Sequence, residues 1–272
     1  MLSQGWQIGL HINTARVSIV AVKAKRNRWS LQRYWLFTLK EPVFTLTGLL
    51  VNTGELRSIL QVVRRQLPYR YSLRISFPTQ CVLHRTLPLP TTSLTGGALE
   101  RFVQLSVERL FSHLHELTWD YALGPNTSTE ISVTVTRYKT LNEYCALFKG
   151  VGLNLEVVEL ASSALYPLLA TSNSNGLIVE DNGIWLWAVH QPPYYYHGQF
   201  LREQVQTPAA VREAIHLDCE NYCYAGEENE QYQELIKPFI SPLLLDDSLH
   251  ELSSRHELTV ALGLALREGD QL

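Results

Sequence analysis

Few stretches of this 272-residue chain hold side chains in a pattern that could do chemistry. The four cysteines are Cys81, Cys145, Cys219 and Cys223, and only the last two are close in sequence. They form a C-x3-C pair, whereas a zinc site needs C-x2-C or a Cys/His set at similar spacing, so ordinary reduced cysteines are the expected state. His113, His115, Glu116 and Asp120 carry metal-ligating groups. Residues two apart do not share a helix face, so this segment reads as a polar helix end and no metal site is expected. Neither G-x-S-x-G nor G-x4-G-K-[ST] occurs. The Tyr194-Tyr195-Tyr196 run could stack bases, yet only Arg202 supplies positive charge nearby. A strand with core and surface tyrosines is the better reading.

The bulk properties narrow the field further. A net charge of −3 gives no electrostatic case for direct nucleic-acid binding. A hydrophobic fraction of 46% supports a sizeable core in one large domain or two small ones. No run approaches the ~18 apolar residues of a membrane-spanning helix, so no direct membrane insertion is expected. Met1-Leu2-Ser3-Gln4 leads straight into a strand pattern, so no signal peptide is read and a cytoplasmic protein is expected.

The elements that must position any site come in a repeated order. Trp6, Ile8, Leu10 and Ile12 alternate with polar or small residues, which is strand periodicity. Val17 to Ala24 is a second strand, and Trp29 to Leu39 a third, with Trp29, Leu31, Arg33, Trp35, Phe37 and Leu39 read onto one face. A helix over Thr53 to Leu67 and a strand over Leu73 to Phe77 follow. This order is that of a ribonuclease-H-like half. The meander returns at Leu177 to Glu180, Ile184 to His190 and Tyr194 to Leu201, around the tight turn Asp181-Asn182-Gly183. A helix from Thr207 to Ile215 and a short strand over Tyr222 to Ala225 complete it. A duplicated α/β fold is therefore expected. Between the halves, Val82 to Gly152 reads as an inserted strand-helix-strand-strand-helix subdomain. The expected division is 1–81 for the first half, completed by about 153–172; 82–152 for the insert; and 173–272 for the second half.

Several stretches in this order resemble the PilM family of actin-like proteins in type IV pilus assembly, and within it the HofM branch tied to DNA uptake and use. They are Trp6-Gln7-Ile8-Gly9-Leu10-His11, Leu31-Gln32-Arg33-Tyr34-Trp35, Ser76-Phe77-Pro78, and Arg85-Thr86-Leu87-Pro88-Leu89-Pro90. Trp119-Asp120-Tyr121, Gly152-Leu153, Asp181-Asn182-Gly183-Ile184-Trp185-Leu186-Trp187-Ala188 and Val260-Ala261-Leu262-Gly263-Leu264-Ala265-Leu266 continue the series along nearly the whole chain. The resemblance implies an actin-like fold of the FtsA/PilM type: a duplicated ribonuclease-H-like core with the small α+β insert. The family's further subdomain in the second half is reduced here to about one helix.

The resemblance also implies where a nucleotide would sit: between two hairpin loops and an adenosine-contacting glycine loop. The family's first hairpin reads Asp-Ile-Gly before Ser or Thr; here it is His11-Ile12-Asn13-Thr14. A neutral His is a poor substitute for a carboxylate in a magnesium shell, and losing the glycine hinders approach of a phosphate. In the second hairpin, Glu180 and Asp181 keep carboxylates, but Asn182-Gly183 passes directly to Ile184 without a Thr run. The third loop is reduced to Ala225-Gly226-Glu227-Glu228, whose acids repel a nucleotide. The degenerate positions are His11, Asn13, Thr14, Glu180, Asp181, Gly183 and Gly226. The expectation is a pseudo-ATPase without bound ATP or magnesium, the alternative being an active actin-like ATPase that gates the same assembly.

The partner implied by the resemblance is a PilN-like (HofN-like) single-pass inner-membrane protein, which would recruit the chain to the membrane face. Its N-terminal tail is expected as an extended peptide between the first half and the insert. Phe77, Arg85, Leu87 and Leu89 border that junction in sequence and are the candidate groove residues; the competing reading makes Leu87 and Leu89 ordinary core of the insert.

Overall fold

The computed structural model describes residues 5–25, 28–90, 94–123, 130–170, 174–192, 194–217, 219, 221–226 and 255–267. Three strands open the chain: β1 (Trp6–Ile12), β2 (Arg16–Lys25) and β3 (Arg28–Thr38). Helix α1 (Thr53–Gln66) and β4 (Tyr71–Phe77) follow. The next elements are β5 (Val82–Pro88), α2 (Gly97–Leu110), β6 (Leu117–Leu123), β7 (Glu130–Arg137), α3 (Tyr138–Lys149) and β8 (Leu155–Leu160). A short α4 (Tyr166–Ala170) leads to the second meander, β9 (Gly176–Asp181), β10 (Ile184–Gln191) and β11 (Tyr194–Leu201). Last come α5 (Pro208–Ile215), β12 (Tyr222–Ala225) and α6 (Thr259–Leu266).

The strands form three sheets, ordered β3-β2-β1-β4-β8, β11-β10-β9-β12 and β5-β7-β6. In the first, β1 pairs antiparallel with β2 and parallel with β4, and β8 adds in parallel beyond β4. The second repeats the plan: β9 pairs antiparallel with β10 and parallel with β12. That is the duplicated meander-plus-parallel-strand order expected of two ribonuclease-H-like halves. Asn182 and Gly183, both at positive φ, make the β9–β10 turn, as the Asn-Gly pair requires.

The first sheet is buried on both faces, which is why its strands read as long apolar runs. Ile8, Leu10, Ile12, Val17 and Ile19 pack against Leu56, Leu60 and Val63 of α1, together with Tyr144, Leu147 and Phe148 of α3. The opposite face, through Val20 and Val22, joins one core with α4, α6 and the inner side of the second sheet. Helix α6 is buried all round because it lies between the two sheets, and it shows no polar stripe for the same reason. Its approach to β1 depends on Gly9, where a Cβ would come 1.9 Å from the Ala261 carbonyl oxygen and 2.5 Å from the Ala265 nitrogen. Gly263 performs the same task on the other side, against the Ala164 carbonyl oxygen at 2.0 Å from its notional Cβ. At the C-terminal end of α6 the buried Arg74 guanidinium donates to Gln7 Oε1 (2.7 Å) and to the carbonyls of Ala265 and Arg267. A cation at the negative end of a helix is favourably placed.

Two sequence expectations change. The single face assigned to β3 is broken by a bulge: Ala21 pairs with Arg33 but Val22 pairs with Leu31, which leaves Gln32 as an extra residue. Each such residue reverses the side-chain alternation beyond it. Trp29 and Leu31 therefore face the α6 core, whereas Trp35, Phe37 and Leu39 face α1, where Trp35 Nε1 donates to Gln66. The insert also ends earlier than 152. Helix α3, assigned to it from sequence, packs in the core of the first half, leaving β5, α2, β6 and β7 as a sheet with one covered face. Glu227 and Glu228 of the third loop lie outside the described residues.

Gly9→Ala is expected to destabilise the protein by about 3 kcal/mol or more, because overpacking against backbone cannot relax by a rotamer change. Gly97→Ala, where a Cβ meets nothing within 4 Å, is expected to fall within about 0.5 kcal/mol of the parent or above it. Urea unfolding of both variants measures the difference.

Candidate functional site

The two hairpin turns singled out in the sequence meet in the structure. His11 is the penultimate residue of β1 and Asp181 the last of β9, so each lies near the end of the first strand of its half. His11 Nε2–H donates to Asp181 Oδ2 at 2.9 Å, while Nδ1 pairs with the Ser76 hydroxyl at 2.6 Å. Asn13 Nδ2 donates to Asp181 Oδ1 at 2.6 Å. Both oxygens of one carboxylate are thus held by the other half of the molecule. The Asn13 side-chain oxygen accepts from the amides of Ala15 (2.9 Å) and Arg16 (2.8 Å), the local turn chemistry expected of Asn. Asn182 donates to the Thr14 hydroxyl and completes the contact.

Burial pushes the Asp181 carboxyl upward. The charge and hydrogen bond of His11, the hydrogen bond of Asn13 and the charge of Arg16 outweigh it, and hold the group below its usual range. It is an anion at neutral pH, only 14% exposed. Glu180 points the other way, toward Arg202 and the Tyr224 hydroxyl at 2.9 Å. A Cβ on Gly226 would meet that same Tyr224 hydroxyl.

This arrangement does not fit the phosphates and magnesium that an actin-like site would hold. A phosphate cradle needs free backbone amides and no competing anion. Here the amides of Ala15 and Arg16 are bonded to Asn13, and a carboxylate lies within hydrogen-bonding distance of both hairpin side chains. Of the seven positions read as a degenerate nucleotide site, His11, Asn13, Thr14 and Asp181 take part in one inter-half latch; Glu180 and Gly226 sit at Tyr224, and Gly183 serves the hairpin turn.

The candidate groove residues are dispersed. Leu87 is buried against α2, with Leu89 packed on the same cluster, so both are core of the insert and not groove. Arg85 is exposed and donates to the neighbouring His84 carbonyl. Phe77 alone lines a large cleft, of about 830 Å3, at the junction of the first half and the insert. The strand alternation explains the miss: Leu87 shares its face with the residues that cover α2, and a one-face stripe in sequence does not say which face is open.

Residues that sequence reasoning overlooked build the cleft. His84, Ser132 and Thr134 come from the uncovered face of the insert sheet, Trp119 and Tyr121 from β6, and Glu159 from β8. The second half contributes His197, and Arg267 follows α6. The His84 and His197 rings meet at 6.0 Å across the boundary between the insert and the second half. His84 pairs with Ser132 (2.9 Å) and His197 with Ser162 (3.0 Å). Burial, then the neighbouring Arg85, lowers the basicity of His84; burial, then His84, brings His197 down to about 4. Both rings are therefore neutral at pH 7. Glu159 is paired with Arg267 at 3.0 Å and with the Ser163 hydroxyl at 2.5 Å.

No protein-family model matches the chain. Over 266 residues, 96% of each protein, it is 27% identical to the DNA utilization protein HofM of Escherichia coli (strain K12). Its fold superposes on a chain of the PilM-PilN type IV pilus biogenesis complex with a TM-score of 0.71 at 16% identity, covering 96% of this chain and 97% of that one. The cytoplasmic domain of EpsL, an inner membrane component of the type II secretion system of Vibrio cholerae, superposes with a TM-score of 0.55 at 8% identity, covering 93% and 94%. The ethanolamine utilization protein EutJ of Carboxydothermus hydrogenoformans gives 0.53 at 11%, covering 97% and 90%. At these identities the structural likeness is one of fold, and the fold is actin-like.

Asp181→Asn is expected to cost about 3 kcal/mol at neutral pH, since it leaves His11 and Asn13 without their charged acceptor in a buried site. The sign of the pH effect follows from the lowered carboxyl. Its contribution is complete above the ordinary value of 3.8 and is lost as pH falls through the lower folded value. Denaturant unfolding between pH 7 and pH 2 should therefore show an acid loss in the parent, below about pH 4, that is smaller in the variant.

Proposed function

We propose that this chain, a homologue of HofM on an actin-like fold, is a scaffold of a type IV pilus or DNA-uptake machine that works without hydrolysing ATP. It would hold a PilN-like single-pass inner-membrane protein by its cytoplasmic tail and sit at the membrane face through that partner. The observation that carries the reading is the Asp181 latch. The place where an actin-like ATPase would cradle phosphates is given over to hydrogen bonds between the halves. A cleft of about 830 Å3 between the first half and the insert is open to a ligand, and it has the size and the mixed apolar and polar lining of a peptide site.

The full-length relationship to HofM, at 27% identity over 96% of both chains, supports the DNA-utilization setting. The likeness in fold to a protein solved as a complex with PilN supports a partner of that kind. No helix among the described residues is long and apolar enough to cross a membrane, which agrees with recruitment through a partner.

Two measurements test the reading. Millimolar Mg-ATP is expected to leave the unfolding midpoint unchanged, whereas a ligand at about 100 times its dissociation constant adds about 2.7 kcal/mol. A rise of several degrees would sink the nucleotide-free reading and favour the gating ATPase. Co-expression with the PilN-like protein is expected to move the chain into the membrane fraction; if it pellets equally well in cells lacking that protein, recruitment by this partner is wrong.

A further inference from the structure

The charge of the chain is divided unevenly along its length. Residues 1–81 hold twelve lysines and arginines against two acids, Glu41 and Glu55. Residues 82–272 hold the other eleven cations and twenty-four of the twenty-six acids. The net charge of −3 therefore conceals a first part at +10 and a remainder at −13. An asymmetry of this size marks a chain that meets an anionic surface at one side. Salt screens charges more than a Debye length away, so each side acts through its own charge and not through the net.

The fold gathers part of this positive charge at one end of the first sheet. β1 and β4 run parallel and start together, with Trp6 beside Tyr71. β2 runs antiparallel to β1, so the β2–β3 hairpin returns to that same end, where Lys25 lies opposite Arg28. One hollow of about 260 Å3 is lined by Trp6, Ala24, Trp29, Arg70 and Tyr71, which brings the hairpin and the start of β4 to one place. The Trp6 amide donates to the Arg70 carbonyl at 3.2 Å and fixes the loop before β4. Helix α1 also ends here, with Arg64 over the Tyr71 ring. Lys25, Arg28, Tyr69 and Arg70 are exposed, Tyr69 at 96%.

These cations are not neutralised within the protein. Among the described residues, Lys23, Lys25, Arg28 and Arg70 take part in no ion pair. Strands β1 to β4 carry no acid; β8, one strand beyond β4, carries the first, Glu156. Lys25 and Arg28 are direct cross-strand partners, a position where like charges repel and destabilise the pair. An anion from outside relieves that repulsion. The aromatic residues indicate which anion. Tyr and Trp interspersed with Lys and Arg is the composition found at a membrane–water interface. The hollow is small, whereas a nucleic-acid groove follows the backbone over at least roughly four nucleotides.

We infer that this end of the first sheet rests on the anionic headgroups of a bilayer, with Lys23, Lys25, Arg28 and Arg70 toward the lipid phosphates and Tyr69 among the headgroups. This rests on the reading that the chain works at the membrane face, and it names the side that is turned to the lipid. The contact is peripheral and inserts no helix. A few cations give reversible binding, and stable attachment takes a second signal, which is the role of the membrane partner in that reading. The same surface repels the acidic remainder, so the chain meets the bilayer in one orientation.

The experiment uses the purified full chain, without its partner, sedimented with vesicles of phosphatidylcholine alone or of phosphatidylcholine with phosphatidylglycerol. Binding is expected only to the vesicles with phosphatidylglycerol, and to be lost at about 1 M salt, where the Debye length is ~3 Å. The triple variant Lys25→Glu, Arg28→Glu, Arg70→Glu is expected to partition at least about tenfold less, since each cation near such a surface accounts for about a fivefold change. The triple variant Arg101→Glu, Arg109→Glu, Arg137→Glu has the same net charge, lies on the insert, and is expected to bind like the parent. All six side chains are exposed, and circular dichroism checks that both variants fold. If the parent does not prefer the anionic vesicles, or if both triple variants lose binding alike, the lipid-facing end is wrong. If a single-stranded oligonucleotide binds the parent and the vesicles do not, the patch serves nucleic acid and the lipid contact is overturned. None of these failures touches recruitment by the partner, which co-expression measures separately.

Discussion

The rest of the structure depends on how closely α6 can lie between the two sheets. The helix touches β1 and β4 on one side and the α4 segment on the other, and its backbone is near enough that neither Gly9 nor Gly263 has room for a methyl group. Sheet-to-helix packing usually proceeds through side chains on both partners. Here backbone meets backbone, which leaves little room for sliding. The Arg74 guanidinium, itself buried, ties the end of the helix to the first sheet. The result is one core shared by both halves, from Val20 and Val22 on one sheet to Leu177, Val179 and Ala188 on the other. Interiors packed to this density transmit a shift in one element to its neighbours instead of absorbing it.

The latch at the hairpin turns has meaning against that shared core. In a two-lobed fold, the space between hairpins is where a ligand can bias the relation of the lobes. This chain fills it with a carboxylate that accepts from His11 and Asn13 across the gap. A buried carboxylate is weak support for stability in itself, since its desolvation offsets much of what its hydrogen bonds contribute. Its value lies in specificity: only one relation of the halves satisfies both carboxylate oxygens together. The residues that occupy the amides of Ala15 and Arg16 and bind the Asp181 carboxylate also make this place a joint between the halves.

A rigid frame directs attention to the part that is not built into it. The insert contacts the rest of the molecule at its margins and keeps a small core of its own around Val103, Val107, Ile131, Val133 and Val135. Its uncovered face is polar, with Ser132, Thr134 and Thr136 alternating against those buried residues. Two neutral histidines, His84 and His197, make the contact to the second half. The cleft thus draws on the first half, the insert and the second half together.

Much of the fold was legible from sequence because it is set by short-range periodicity. Alternation gave the meanders, the Asn182-Gly183 pair gave the hairpin, and the repetition of strand order gave the duplication. The departure of these loops from the family's nucleotide pattern was equally legible, since it is a matter of which residue types are present. What those residues do instead was not. Nothing local to His11 or Asp181 indicates that they meet, 170 positions apart, because their contact follows from the relative placement of two sheets. The β3 bulge was hidden because one extra residue, Gln32, reverses the faces without changing composition. The groove residues were misplaced for a related reason. Alternation separates Leu87 and Leu89 from their neighbours, but only the packing of α2 decides which side is closed. Sequence fixes the period of a strand; tertiary structure decides what each of its faces and edges meets, because that is settled by elements far away in the chain.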